Sequence, residues 1–486
     1  MTNDYLLKIL FTSLFGWILS FLTGSIIFGN ITCVITICFL GNWFWGILGD
    51  KIQSIRLLRI SVFFLVFLQN LMWSIAYVTN KFILKISIEE TIYGSMKGGL
   101  TVEYYFLAIA YITAFSAMCL LLSSHRYVIN QEKRLLSKIT SLRFSKRKVL
   151  AVTLIVTTIN LLLILSGVIG QRTLVIDGFD EGKIPFWYPI FQVVQPFSLF
   201  FSIMLISSWK RDKYVSKFNL LLVTLAIGSI LIIFFSSGRR GFVFILITGF
   251  YLFSFLNNYK PKFYKVLIVT SILYPIFSFL LLINSYSRYN TGDIISSITA
   301  ASEEISSSSS NLQEIELKNT QNYASRPLVA TPLAYCLSTP NKSFTYGENL
   351  LNSLIQAIPS NSFLDKRKFP VMEELLYKHF KIANNQDDTA DSIYLVSFTE
   401  FGWIGLIIFP LLIVLFWLLV IKLTIGGNYY LLAIQFSSTL LFFLTSIGED
   451  SLTSWYIHLR TSLFLYFIFI AFQILHKNNA RFVHRG

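Results

Sequence analysis

Residues 102–122 read VEYYFLAIAYITAFSAMCLLL, and residues 123–148, which follow, read SSHRYVINQEKRLLSKITSLRFSKRK. The first stretch carries one charged side chain, Glu103. As a helix rising 1.5 Å per residue it would be about 31 Å long, the thickness of the hydrocarbon core of a bilayer. The second stretch holds eight basic side chains, Arg126, Lys133, Arg134, Lys138, Arg143, Lys146, Arg147 and Lys148, against one acid, Glu132. Short loops rich in lysine and arginine stay on the cytoplasmic side of a membrane. The pair therefore predicts a spanning helix whose C-terminal end lies inside, and the remaining spans can be oriented from it.

The same ruler places spans near 6–23, 31–48, 59–78, 102–122, 149–169, 189–208, 218–236, 242–256, 266–284, 403–421, 429–447 and 457–475. Alternating outward from 123–148, the inside loops contain Lys51, Arg56 and Arg59; Lys210, Arg211, Lys213 and Lys217; Lys260, Lys262 and Lys265; Lys422; and Lys477, Arg481 and Arg485. All agree with one topology, which puts both termini in the cytoplasm. The predicted fold class is an all-α polytopic membrane protein of about twelve transmembrane helices with a large extracytoplasmic loop. Composition says the same: 54% of the 486 residues are hydrophobic, 13% are charged, and mean hydropathy is +0.63. A soluble domain carries about 25% charged residues. The net charge of +15 does not indicate a nucleic-acid partner, because its basic residues sit in alternate loops. No cleavable signal peptide is expected, since the apolar stretch after Met1 runs into a second one without a small-residue cleavage site. Cys33, Cys38, Cys119 and Cys336 have neither metal-ligand nor disulfide-framework spacing. The three in apolar runs are expected as small core residues.

This topology divides the chain into 1–284 with nine spans, an outer loop at 285–402, and 403–486 with three spans and the cytoplasmic tail. The loop holds nine Lys/Arg against twelve Asp/Glu up to Asp391, unlike the inside loops. Its serine- and glutamate-rich start, Ser302 to Glu316, reads as a spacer; helical patterns follow at 348–358 and 370–382. Arginines on the outer side run against the positive-inside rule and are informative for that reason: Arg172, Arg239, Arg240, Arg288, Arg326 and Arg460. Arg239 and Arg240 lie between Gly238 and Gly241 in a tight outer hairpin, and Arg460 lies about a turn inside the last span. One reading is snorkelling or ion pairing, such as Arg460 with Glu449 or Asp450. The other is a shared anion site at the outer membrane boundary, where guanidinium groups would hold a lipid diphosphate.

The most specific text is Asp391-Ser392-Ile393-Tyr394-Leu395-Val396-Ser397-Phe398-Thr399-Glu400-Phe401-Gly402-Trp403-Ile404-Gly405-Leu406. It resembles the end of the large periplasmic loop in the O-antigen polymerase and ligase superfamily. Tyr394, Leu395, Glu400, Gly402, Gly405 and Leu406 match in register, whereas Asp391 and Ser392 stand where the ligases have His-Asn. Gly238-Arg239-Arg240, Arg326, Tyr346-Gly347 before Leu350, and Ile358-Pro359 ahead of Lys366–Lys368 resemble the Wzy-type repeat-unit polymerases. The resemblance implies a GT-C-like, metal-independent, inverting glycosyltransferase of the cytoplasmic (inner) membrane. Its partners would be undecaprenyl-diphosphate-linked glycans as donor and acceptor, membrane lipid, a flippase and a chain-length regulator, with no cofactor.

In that reading the outer arginines stabilise the diphosphate leaving group and Asp391 is the base for the acceptor hydroxyl. Asp387, Asp388, Glu400 and His379 are weaker candidates. Asp391 also reads as a helix N-cap, and His379 as a solvated surface residue. Asp387, Asp388 and Asp391 make only a weak cation-binding pattern. If the helix runs unbroken, Asp391 and Gly402 share a face, and Gly402 and Gly405 are small enough for another helix to pack closely. The first outer loop, Gly24 to Asn30, lacks the acids of metal-using lipid-linked transferases. Two rivals stand beside the polymerase: a ligase, disfavoured by Asp391 in place of His, and a flippase or transporter, whose charges would gather at midplane.

Overall fold

The computed structural model describes residues 3–47, 57–85, 101–140, 146–165, 199–206, 216–236, 330–340, 343–358, 366–381, 392–426 and 452–483, with isolated positions between 249 and 303 and at 436. Among them there is no strand. The helices are α1 Asn3–Thr23, α2 Ile26–Ile47, α3 Leu57–Val78, α4 Val102–Ser123, α5 Arg126–Thr140, α6 Lys146–Leu165, α7 Lys217–Ser236, α8 Ala330–Ser338, α9 Glu348–Ala357, α10 Met372–Phe380, α11 Ile393–Phe401, α12 Gly405–Gly426 and α13 Leu452–Val483. Five stretches are long and apolar enough to cross a membrane: Tyr5–Thr23, Ile26–Ile47, Val62–Leu84, Val102–Ser123 and Ile393–Gly426. The chain is an all-α, multi-pass membrane protein.

The expected loop from Gly24 to Asn30 is a two-residue turn, because α2 already begins at Ile26. Gly24 makes that turn at φ +62, and a Cβ there would stand 2.8 Å from Glu103 Oε1. The next residues are apolar and outward-facing (Ile27, Phe28), so a helix facing lipid is their cheaper state. The most buried of the five spans is α4, which packs against α1, α3, α8 and α12. Its rings make the core: Trp73 of α3 lies 5.1 Å from Tyr105 and 5.3 Å from Phe106, and Trp17 of α1 lies 5.6 Å from Phe106. Cys33, Cys119 and Cys336 are buried, whereas Cys38, expected inside, is exposed on α2.

Beyond the C-terminal end of α4, the basic segment forms α5. It buries Val128, Glu132, Leu135 and Ile139 along one face and packs on α12, where Trp417 Nε1 donates to Glu132 at 2.9 Å and Lys138 Nζ donates to the Ile425 carbonyl at 2.7 Å. The single acid of that loop is thus its anchor.

Two elements of the 285–402 segment do not stay at the surface. Helix α8 is buried over nearly its whole length and packs on α4 and α11. Helix α11 is buried from Ile393 to Glu400. Tyr111 of α4 hydrogen-bonds Ser397 Oγ at 2.8 Å and donates to the Gly402 carbonyl at 3.3 Å. Tyr111 lies nine residues into α4, about 13 Å from its N-terminal end. Tyr394 OH accepts from Gln69 Nε2 at 3.3 Å, and Gln69 lies within the span of α3. The end of the 285–402 segment is therefore built into the helix bundle, against the middle of α3 and α4.

Candidate functional site

Residues 392–406 fold as two helices with a break rather than one continuous helix. Ser392 is the N-cap of α11; its hydroxyl accepts from the Leu395 N–H at 3.2 Å. The capping role expected of Asp391 thus belongs to its neighbour, and Asp391 itself lies outside the described residues. Helix α11 ends at Phe401, and Gly402 leaves it at φ +59, so the unbroken helix expected through Gly402 is not what forms. A Cβ on Gly402 would lie 2.9 Å from the Phe344 ring. A Cβ on Gly405 would overlap the Ser397 carbonyl oxygen and come 3.2 Å from Tyr111 Oη. The two glycines do permit close packing, but what they admit is the chain folding back on itself, with Phe344 and Tyr111 alongside.

Glu400, the last buried residue of α11, reaches the start of α9. One carboxylate oxygen accepts the Gly347 N–H, and the other accepts the Leu350 N–H at 3.0 Å. The backbone reinforces the junction: Thr345 N–H donates to the Thr399 carbonyl at 3.0 Å, and Tyr346 N–H to the Glu400 carbonyl at 3.2 Å. Tyr346 (φ 44) and Gly347 (φ +98) are both left-handed, which turns successive N–H groups toward the end of α11. Tyr346-Gly347, Leu350 and Glu400, quoted above as separate features, are one structural unit. In it Glu400 serves as the N-cap that α9 lacks from its own residues.

The other end of α9 is held by cations. Lys366 Nζ donates to the Gln356 carbonyl at 2.8 Å, and Arg460 of α13 donates to the Ala357 carbonyl. Gln356 Nε2 in turn donates to the Lys366 and Phe369 carbonyls at 3.1 and 3.0 Å. Negative charge at a helix N-terminus and positive charge at its C-terminus both complement the helix dipole. Arg460 was expected at a diphosphate or paired with Glu449 or Asp450. Those two acids lie outside the described residues, and the partner the structure gives Arg460 is a helix end. Arg172, Arg239, Arg240, Arg288 and Arg326 also lie outside them, as do Asp387 and Asp388.

His379 of α10 is not a free surface histidine. Its Nδ1 is 3.1 Å from Ser343 Oγ and its Nε2 is 3.2 Å from Glu348 Oε2. Lys378 Nζ lies 3.0 Å from the other Glu348 oxygen. Burial pushes the Glu348 carboxyl up, but hydrogen bonds and charge from Lys378, then His379, outweigh it and hold the group below its ordinary 4.5. Glu348 opens α9, so the acid–base cluster and the Glu400 cap meet at the same helix end. Sequence reasoning did not single out Ser343, Glu348 or Lys378; the Lys378-His379 pair, in the last turn of its helix, was the available signal.

No family model matches the chain, and neither does any curated protein or solved structure.

Proposed function

We propose that the protein is a lipid-linked glycosyltransferase that polymerises undecaprenyl-diphosphate-linked oligosaccharide repeat units into O-antigen or capsular polysaccharide. It works on the outer face of the cytoplasmic membrane, crossing it twelve times with both termini inside. The observation that carries this reading is the way the motif resembling the O-antigen polymerase and ligase superfamily is built into the bundle. Glu400 comes from the end of the 285–402 segment, Tyr346-Gly347 from its middle and Arg460 from α13, and all meet at the ends of α9. A site assembled at membrane depth suits a substrate whose reacting bond lies beside a lipid diphosphate.

In this reaction the acceptor hydroxyl attacks the anomeric carbon of the donor as the bond to the diphosphate oxygen breaks, with inversion. Asp391 takes the hydroxyl proton. Arg172, Arg239, Arg240, Arg288, Arg326 and the remaining N–H groups of Arg460 balance the charge that develops on the leaving group. No cofactor or metal enters.

The test is purified protein incubated with a lipid-linked repeat unit, with and without EDTA. A ladder of longer glycans is expected in both cases, and Asp391→Asn, Arg239→Ala, Arg240→Ala and Arg288→Ala should each abolish it. Transport of single units without elongation would establish the flippase reading, and transfer to lipid A core would establish the ligase.

A further inference from the structure

Helix α9 is amphipathic, but its polarity is reversed with respect to water. Its buried positions include Asn349 (2% exposed), Asn352 (6%) and Ser353 (6%). Its open positions are Leu351 (57%), Leu354 (46%) and, just beyond the helix, Ile358 (41%). At 3.6 residues per turn these three fall within about 60° of one another, opposite the polar side. A helix bathed in water turns such a stripe inward. The polar side is instead occupied by protein: Ser353 Oγ donates to Asn349 Oδ1 at 3.1 Å, and Asn349 Nδ2 lies 2.9 Å from Met372 Sδ.

The two ends of α9 fix its depth independently. Its N-terminus is bound to Glu400, two residues before the Gly402 carbonyl that Tyr111 holds about 13 Å along α4 from that helix's N-terminal end. Its C-terminus is bound to Arg460, eight residues and about 12 Å along α13 from Leu452. Both figures place α9 beside the ends of the helices that carry it rather than beyond them, so it runs across those helices rather than along them, with the exposed Glu348–Lys378 pair at its N-terminal edge. Within lipid, the free N–H and C=O groups of a helix end must be satisfied by protein, because water is not there to do it. Glu400 takes the N–H groups, and Lys366 and Arg460 take the carbonyls.

We propose that α9 is an in-plane helix of the outer leaflet. Its Leu351, Leu354 and Ile358 stripe rests on phospholipid acyl chains, and its Asn349–Ser353 face is turned into the protein. The site described above then borders the bilayer sideways and is separated from it by one helix.

The experiment places a small fluorophore on Leu351→Cys, Leu354→Cys or Ile358→Cys in full-length protein whose exposed Cys38 is replaced by Ala. The protein is reconstituted in phosphatidylethanolamine–phosphatidylglycerol vesicles. Nitroxide groups on lipid acyl chains should quench all three sites as strongly as a label at Phe15→Cys, an exposed position on the span α1. Iodide supplied on both faces should spare them while quenching a label at Lys133→Cys on α5. Quenching by iodide and not by the nitroxide lipid would put the stripe in water and overturn the proposal. Labels at Asn352→Cys and Ser353→Cys should be reached by neither quencher, and lipid quenching there instead of at the leucines would show that the helix faces the other way. None of these readouts depends on glycan transfer.

Discussion

Glu400 is the side chain whose removal should report most directly on how the site is assembled. In Glu400→Ala, the partly buried N–H groups of Gly347 and Leu350 lose their acceptors. Each buried donor left unpaired costs about 1–3 kcal/mol, and loss of a helix cap alone costs about 0.5–2 kcal/mol. The docking of α9 should weaken by about 3–5 kcal/mol. Glu400→Gln keeps one acceptor oxygen but faces the second N–H with an amide, so about half of that loss is expected. The assay is amide hydrogen exchange across Leu351–Ala357 in the purified protein. At about 1.4 kcal/mol per factor of ten, alanine should raise local opening by two to three orders of magnitude and glutamine by roughly one. The same pair separates a cap from a general base. A cap leaves Gln clearly more active than Ala, whereas a base makes the two equally dead. Unchanged exchange in Glu400→Ala would refute the capping argument outright.

Gly405→Ala should be among the most damaging single-methyl additions in the chain, because its Cβ meets the backbone carbonyl of Ser397 rather than a side chain that can rotate away. Overpacking of this kind costs about 1–3 kcal/mol, and a lowered melting temperature by intrinsic fluorescence is the readout. Glu348 sets a pH dependence. Its folded carboxyl is held below 4.5, so its contribution is complete above that value and is lost as pH falls below it through the folded value. The difference in α9–α10 exchange protection between wild type and Glu348→Gln should therefore be constant from neutral pH to about 5 and shrink below about 4.5.

The spanning helices were legible because their signal is local. A run of some 20 apolar residues is enough, and α1, α2, α3, α4 and α12, which carry the five stretches able to cross a membrane, all overlap expected spans. Helices α8 and α11 were not legible as elements buried in the bundle. Each has nine residues, too few for a ruler set to cross a bilayer. Glu400 also made the end of α11 look external, and the partners that neutralise its cost come from about fifty positions earlier in the chain. One clue was available: the apolar run from Ile393 to Gly426 is 34 residues long, more than a span needs, and a fold-back at Gly402 uses the surplus. The cap at 392 rather than 391 reflects two good capping residues side by side, which only geometry separates. Likewise the 348–358 pattern announced a helix without saying which face the protein would keep.

An ionisable group inside a membrane protein is ordinarily a functional suspect, because its burial is costly. Glu400 and Arg460 both qualified on sequence grounds, and the structure gives each a structural duty at opposite ends of one short helix. This changes how loss of activity should be read. Arg460→Ala removes a cation from the site and also frees the Ala357 carbonyl, so lost elongation alone does not assign it to the diphosphate. Arg460→Lys keeps a cation at the helix end but loses the bidentate fork that suits a phosphate. Hydrogen exchange in α9 reports the first duty and elongation the second. If lysine restores the exchange pattern without restoring elongation, the guanidinium acts on the substrate; if it restores both together, the work of Arg460 is to hold α9 in the membrane.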